Sequence, residues 1–365
     1  MKLLYITNQI CGAGGLERVL SIKTRYLAEE FGYEVHIMTI NQEGLSLFYN
    51  FSEKLIYHNF NAEGNTLQYF LQYLSGLRKV VKTVKPDIIS VCDDGLKGFF
   101  VPVFTGKPCK MIYERHVSKK IEATSDTPTF LSKLTEDIKY KLMHVGAKKY
   151  DKFVVLTNGN INEWKLDNIL VISNPLSFSP EKTSPLNNKK VLAVGRQCFQ
   201  KGYDRLLKSW QKVSHAHPDW KLEIYGKINE NEDLNALAHD LKINTTISFF
   251  APIKNIQEKY KKASVYVMSS RSEGFGMVLI EAMAHGVPCV SYDCPHGPAD
   301  IITDGVDGYL VPNGDIHTFA DRIVKLIEDE PKRKEMGKNA VKKTQLFAPD
   351  IIIPQWDKLF KSLIE

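Results

Sequence analysis

Apolar residues recur along this chain in two alternating rhythms. Short β-branched runs (LLYIT, EVHIMTI, PDIISVC, KMIYE, KFVVLT and ILVIS) alternate with longer stretches of helical spacing, LERVLSIKTRYLAEEF, TLQYFLQYLSGLRKVVKTV and LSKLTEDIKYKLMHVGAKKY. Such alternation predicts a parallel, doubly wound α/β sheet. The scheme stops at a Pro, Ser and Asn-rich segment, residues 172–190, and then restarts. The restart reads VLAVG, helix DRLLKSWQKVSHA, WKLEIYG, a helix around 231–241, and TISFF. Two facing Rossmann-like domains with a cleft between them are therefore expected. The expected division is 1–172, 173–345, and a last helix at 346–365 returning to the first domain.

One further unit carries the sharpest chemistry. ASVYVM (263–268) and VPCVSY (287–292) read as buried strands, and Met277, Leu279, Ile280, Met283 and Ala284 between them recur at helical spacing up to a stop at Gly286. In a βαβ unit the loop after the first strand faces the ligand crevice, and the helix start offers unpaired N–H groups to an anion. Glu273 falls at that crevice rim and Glu281 within the helix. Gly274 and Gly276 let a phosphate approach the backbone. A diphosphate at the helix start, with sugar hydroxyls on either side for the two carboxylates, satisfies every element. The alternative is a helix-entry Glu favoured by the dipole and a second Glu in solvent; both carboxylates together with both glycines weigh against it.

Each domain also has a glycine-bearing loop after its first strand. CGAGGLERVL (11–20) fails as a dinucleotide fingerprint, since Glu17 takes the third glycine position and the second strand ends HIMTIN without an acidic residue for a ribose. VGRQCFQKGYDRLL (194–207) sets Arg196 and Lys201 around a turn opened by Gly195 and closed by Gly202. Two cations beside a helix start make a diphosphate clamp, though surface cations would read the same.

Composition narrows the class. The 365 residues are 43% hydrophobic and 25% charged, as in a globular protein of two domains. MKLLYITNQI reads as a first strand and not a signal peptide, and no run is long enough to span a bilayer. The six cysteines form no C-x-x-C pair, so reduced thiols in the cytoplasm are expected. Net charge is +6, yet residues 78–152 alone hold 16 Lys and Arg against 9 Asp and Glu. That excess is either solvated surface or a face for anionic lipid or phosphorylated substrates. No sequence-readable nucleic-acid module is present, and no nucleic-acid partner is expected.

Four segments in order, GGLERVL, VGRQCFQKGYDRLL, the E-x7-E stretch SEGFGMVLIE, and DCPHGPADIITDGVDGYLVPNGD (293–315), resemble the family 4 retaining glycosyltransferases of the GT-B fold. The resemblance covers essentially the whole chain. It implies that Arg196 and Lys201 bind the donor diphosphate, Glu273 the hydroxyls of the transferred sugar, and Glu281 the nucleotide ribose. It places Gly195, Gly274 and Phe275 in the donor loops, with the backbone amides of Gly276, Met277 and Val278 on the phosphate. Gly14 and Gly15 match the first-domain loop that packs close to donor and acceptor. His116, after KMIYER, aligns with a polar residue facing the reacting centre, although a strand-end surface histidine is the other reading.

These residue types suit the chemistry, because breaking a glycosyl diphosphate needs preorganised cations and amides at the leaving group. No metal or cofactor is expected: there is no D-x-D or H-x-x-x-H, and Asp93 and Asp94 read as a strand-end turn. The resemblance further implies retention of anomeric configuration, with the donor phosphate taking the acceptor's proton. The expected activity is transfer of a hexose or N-acetylhexosamine from a nucleotide sugar, UDP foremost, to a glycan or lipid-linked acceptor in surface polysaccharide assembly. The expected place is the cytoplasm, peripheral at the inner face of an anionic membrane. A nucleotide-sugar 2-epimerase and a non-catalytic nucleotide-sugar scaffold are the alternatives.

Overall fold

The β-branched runs become the strands of two separate parallel sheets. The structure, a computed structural model, describes residues 1–119, 130–229 and 232–365, the side chains of 130–133 excepted. Lys120, in the basic run ERHVSKK, and residue 231, at the start of the expected helix 231–241, lie outside the described residues. Among the described residues the chain forms two compact units: residues 1–119, 130–177 and 349–365 make one, and 178–348 the other.

The first unit runs β1 (Lys2–Ile6), α1 (Gly15–Glu29), β2 (Glu34–Ile40), β3 (Ile56–Phe60), α2 (Thr66–Val84), β4 (Ile88–Val91), α3 (Leu96–Phe99) and α4 (Val101–Thr105). It continues with β5 (Lys110–Glu114), α5 (Phe130–Ala147), β6 (Lys152–Val155), α6 (Asn158–Trp164) and β7 (Ile169–Val171). The strand order is β3-β2-β1-β4-β5-β6-β7. Burial on both faces explains why the inner strands read as nearly unbroken apolar runs. The outer strand β3 has no such run. Its residues IYHNF are largely exposed, so period-2 patterning is absent and sequence reading passes over it.

Local chemistry sets the helix ends. Asn65 and Gln68 form a reciprocal capping box at the start of α2, and Lys85 ends that helix in the left-handed conformation.

The second unit runs β8 (Lys190–Val194), α7 (Tyr203–Ala216), β9 (Lys221–Tyr225), α8 (Leu234–Asp240), β10 (Ile247–Phe250), α9 (Gln257–Tyr260) and β11 (Val265–Met268). Then come α10 (Met277–Ala284), β12 (Cys289–Asp293), α11 (Pro298–Ile301), β13 (Gly308–Pro312), α12 (Ile316–Glu328) and α13 (Glu330–Thr344). Its order is β10-β9-β8-β11-β12-β13, over a core that includes Trp210, Leu222, Ile224, Val290 and Phe319.

The last helix, α14 (Pro349–Ile364), belongs to the first unit. Ile353, Trp356 and Phe360 pack with Tyr5, Leu20 and Leu27, and the Tyr33 hydroxyl donates to Asp357. Each such fully buried side chain contributes about 1.5–3 kcal/mol.

Candidate functional site

In each unit the strand order reverses once, between β8 and β11 in the second and between β1 and β4 in the first. Ligands of open parallel sheets bind beyond the carboxyl ends of the strands at that reversal. The loops that leave β8 and β11 are residues 195–202 and 269–276, which contain Arg196, Lys201 and Glu273.

These two loops are stitched together by backbone and side chain alike. A 3-10 turn, Phe199–Lys201, ends at Gly202 with φ +63°, and a Cβ there would stand 2.3 Å from the Ser269 carbonyl oxygen. Only glycine fits. The Ser269 hydroxyl donates to the Lys201 carbonyl at 2.9 Å, the Arg271 N–H to Gln200 O at 2.7 Å, and Gln200 Nε2 to Ser272 O at 2.8 Å. Arg271 forks onto Asp204 at 2.8 and 2.9 Å while its guanidinium covers the Phe199 ring. The Asp204 carboxyl sits below its ordinary range: burial opposes this, but the bond and charge of Arg271 outweigh it. Bidentate pairs of this kind fix geometry as well as energy.

The product of this framework is a pair sequence spacing does not reveal. Lys201 Nζ lies 2.6 Å from Glu273 Oε1, with side chains only 17% and 9% exposed. The Ser270 hydroxyl donates to the same oxygen at 2.6 Å. Cation and carboxylate thus neutralise one another. Arg196 is exposed nearby in sequence, on the same loop.

Gly276, with φ +100°, starts α10. The first amides of a helix have no intrahelical acceptor, and here they belong to Gly276, Met277 and Val278. The rest of α10 is buried. Glu281 is wholly inaccessible, and the Tyr260 hydroxyl donates to its Oε2 at 3.1 Å. A solvent-pointing Glu281 is thereby excluded. The loop after β12 packs on Phe275: a Cβ at Gly297, φ +108°, would stand 2.0 Å from the Phe275 carbonyl oxygen. Ser270, Arg271, Asp204, Tyr260 and Gly297 were not singled out from sequence. Gly297 and Asp204 had a signal, their places in PHGPAD and QKGYDR.

In the first unit Gly14 and Gly15 are exposed at the start of α1. A Cβ at Gly12 or Gly14 would come within 2.4 or 2.5 Å of the Glu17 carboxylate, which lies against the loop where a dinucleotide fold keeps glycine. The DDG turn after β4 is an Asx turn, in which the Gly95 N–H donates to Asp93 Oδ1 at 2.9 Å. Burial pushes the Asp93 carboxyl above its usual range.

His116 is 9% exposed, which excludes a surface histidine. Its Nε2 lies 3.2 Å from Glu114 Oε2, the oxygen that also takes the Lys23 ammonium. Cys92, Glu114 and His116 bring ligand-type atoms within 4.8 Å of one another. The Lys23 ammonium already occupies the carboxylate, and burial pushes the Cys92 thiol up, so the cluster has the chemistry of an ion pair and not of a cation site.

Comparison with known proteins agrees with this fold. Residues 177–343 match the family model described as Glycosyl transferases group 1. An uncharacterized glycosyltransferase of Haemophilus influenzae is 28% identical over 361 residues, spanning 97% of this chain and 98% of that protein. The amylovoran biosynthesis glycosyltransferase AmsD of Erwinia amylovora is 29% identical over 374 residues, spanning 98% and 99%. The crystal structure of a S. aureus TarM variant, solved with fondaparinux, alpha-GlcNAc-glycerol and UDP, matches in fold with a TM-score of 0.82 at 17% identity over 99% of this chain and 100% of that one. The chain therefore carries a group 1 glycosyltransferase domain over residues 177–343 and is a glycosyltransferase enzyme of the GT-B fold.

Proposed function

We propose that this enzyme moves a hexose or N-acetylhexosamine from a UDP-sugar to a glycan or lipid-linked acceptor in surface polysaccharide assembly, with retention of configuration. The observation that carries the donor reading is the part-buried Lys201–Glu273 pair beside the start of α10. The UDP and alpha-GlcNAc-glycerol held by TarM, and the polysaccharide role in the name of AmsD, support it.

In this reading the donor diphosphate takes Lys201 from Glu273. Arg196 joins it as a fork, and the amides of Gly276, Met277 and Val278 complete the cradle. Glu273, so released, accepts from the sugar hydroxyls, and Glu281 from the ribose once the wall that buries its carboxylate opens to the nucleotide. Gly14 and Gly15 leave room for close approach, and His116 faces the reacting carbon. The anomeric C–O bond to the diphosphate breaks, a C–O bond to the acceptor forms on the same face, and the acceptor's proton passes to the departing phosphate oxygen. The cations and amides stabilise the charge left on that phosphate, the role a metal takes elsewhere.

A thermal melt with and without UDP tests the donor. UDP at 100 times its Kd is expected to stabilise the native state by about 2.7 kcal/mol. Arg196→Ala should weaken UDP binding by about 1.5–3 kcal/mol, and a chelator should leave transfer unchanged. An absent UDP shift would overturn the donor reading; activity lost to chelator and restored by a divalent ion would overturn the metal-free one.

The membrane reading rests on α5. Leu134, Ile138, Leu142 and Val145 lie on one helical face and are each 41–52% exposed, flanked by the exposed Lys141, Lys148 and Lys149. A basic rim around an apolar row suits the interface of an anionic bilayer. Among the described residues no helix is long and apolar enough to cross a membrane. Each lysine adds about 1 kcal/mol near the surface, screened over about 8 Å at physiological salt. The protein is expected to sediment with phosphatidylglycerol vesicles at low salt and partly at high salt. Reversing the three lysine charges should remove the salt-sensitive part, and Ile138→Ser with Leu142→Ser the remainder. Failure of the wild type to bind at low salt would leave α5 as solvated surface and point to a soluble acceptor.

A further inference from the structure

Lys23 is completely buried and takes no part in the donor clamp. It lies on the inner face of α1, where a Leu or Met would spare the heavy cost of burying an ammonium. Its Nζ pairs with Glu114 at the end of β5 and stands 3.9 Å from the Trp356 ring centroid and 5.0 Å from that of Tyr5.

Glu114 gathers three donors. Oε2 takes Lys23 and His116 Nε2, and Oε1 takes the Ser90 hydroxyl at 2.5 Å. Burial alone would raise its pKa, but the Lys23 charge and the His116 bond outweigh burial and hold the carboxyl down to about 2. An ionised carboxylate can only accept, so the ring nitrogen bonded to it carries the proton. His116 Nδ1 is buried and has no partner among the described residues. Asp94, which also lies near the ring, is engaged by Arg115 at 3.2 Å.

We infer that Lys23 and Glu114 are positioning residues that fix His116 as the Nε2–H tautomer, so that Nδ1 presents its lone pair to a hydroxyl of the bound substrates. This rests on the reading above that His116 faces the reacting carbon. Lys23 keeps the carboxylate charged, Glu114 sets tautomer and ring angle, and Trp356 covers the ammonium. A ring nitrogen that accepts a hydrogen bond orients a hydroxyl of the bound substrates by directing the hydroxyl's proton at the ring.

Two-bond 1H–15N correlation spectra of the 15N-histidine-labelled enzyme test the tautomer without any substrate, the His116 signals being assigned with His116→Gln. The expected result is a protonated Nε2 and an unprotonated Nδ1; a protonated Nδ1, or a ring averaged between tautomers, overturns the inference. Turnover is then measured in Glu114→Gln and in the doubly neutral Lys23→Met/Glu114→Gln, which leaves no lone charge in the core. Signals of the bonded His36–His58 pair, with Nδ1 to Nε2 at 2.8 Å, report that the first unit is folded, and the UDP melt reports the second. Both variants should lose the fixed tautomer and about 10- to 100-fold in kcat, with UDP affinity within about twofold of wild type. Wild-type turnover in the folded double variant overturns the positioning role. Unchanged turnover in His116→Gln, with the Nε2–H tautomer confirmed, would instead locate the failure in the placing of His116 at the reacting carbon.

Discussion

Glu273→Gln is expected to lower kcat by about 10²–10³-fold, the loss found when one preorganised polar group is removed from a reacting centre, while UDP affinity stays within about twofold. The amide is nearly isosteric with the carboxylate, so the loop held by Arg271, Gln200 and Ser269 should keep its shape. What changes is charge. In the free enzyme Lys201 sits 2.6 Å from Glu273, so a neutral residue 273 releases the ammonium for phosphate before the donor arrives. Any change in UDP affinity should therefore be a small gain, whereas the sugar hydroxyls lose an ionised acceptor. Product formation under saturating donor, set beside calorimetric UDP titration, separates the two. Lost UDP affinity with intact turnover would exchange the roles assigned to Glu273 and to the phosphate cradle.

Arg333→Met should have the largest effect on stability, about 3–5 kcal/mol, without touching the loops after β8 and β11. Arg333 is 3% exposed, and its guanidinium donates to the carbonyls of Leu186, Leu326 and Ile327, with the Trp220 ring beneath it. It thereby ties the segment before β8, where Leu186 adopts φ +57°, to the end of α12. Methionine fills some of the volume but leaves three buried carbonyls short of donors. For a unit of this size the midpoint of unfolding falls about 2–4 °C per kcal/mol, or roughly 6–20 °C. Calorimetry of the variant checks it, and turnover well below the new midpoint should match the wild type. A midpoint within about 2 °C of wild type would mean that water replaces the guanidinium at those carbonyls.

The parallel sheets were legible because strands buried on both faces must be apolar along their whole length, as in EVHIMTI and VLAVG. The loops after β8 and β11 were legible for a different reason: their glycines answer to close backbone contacts, such as Gly202 on Ser269, which no other residue permits. The edge strand β3 was not, since its exposed residues carry no periodic signal. Helices α3 and α4 were not either, because Gly98 and Pro102 interrupt the spacing of LKGFFVPVF. Charged pairs were the least legible. A lysine inside a helix reads as solvent-facing, and the partner that makes Lys23 buriable lies 91 residues away. Lys201 and Glu273, 72 residues apart, were each singled out, yet nothing in their spacing says that they neutralise one another.

Helix α14 places the closing piece of the first unit beyond the whole of the second in the chain. A ribosome adds about 5–20 residues per second, so the strands of the first sheet wait tens of seconds before Trp356 emerges. During that interval the face of α1 that carries Leu20, Lys23 and Leu27 has no cover from Ile353, Trp356 or Phe360. The larger segment of the second unit, residues 178–348, leaves the ribosome before α14 does and can finish first. The order of maturation is therefore inverted relative to the order of synthesis, and a nascent chain stalled before residue 349 should be held by chaperones through its amino-terminal half.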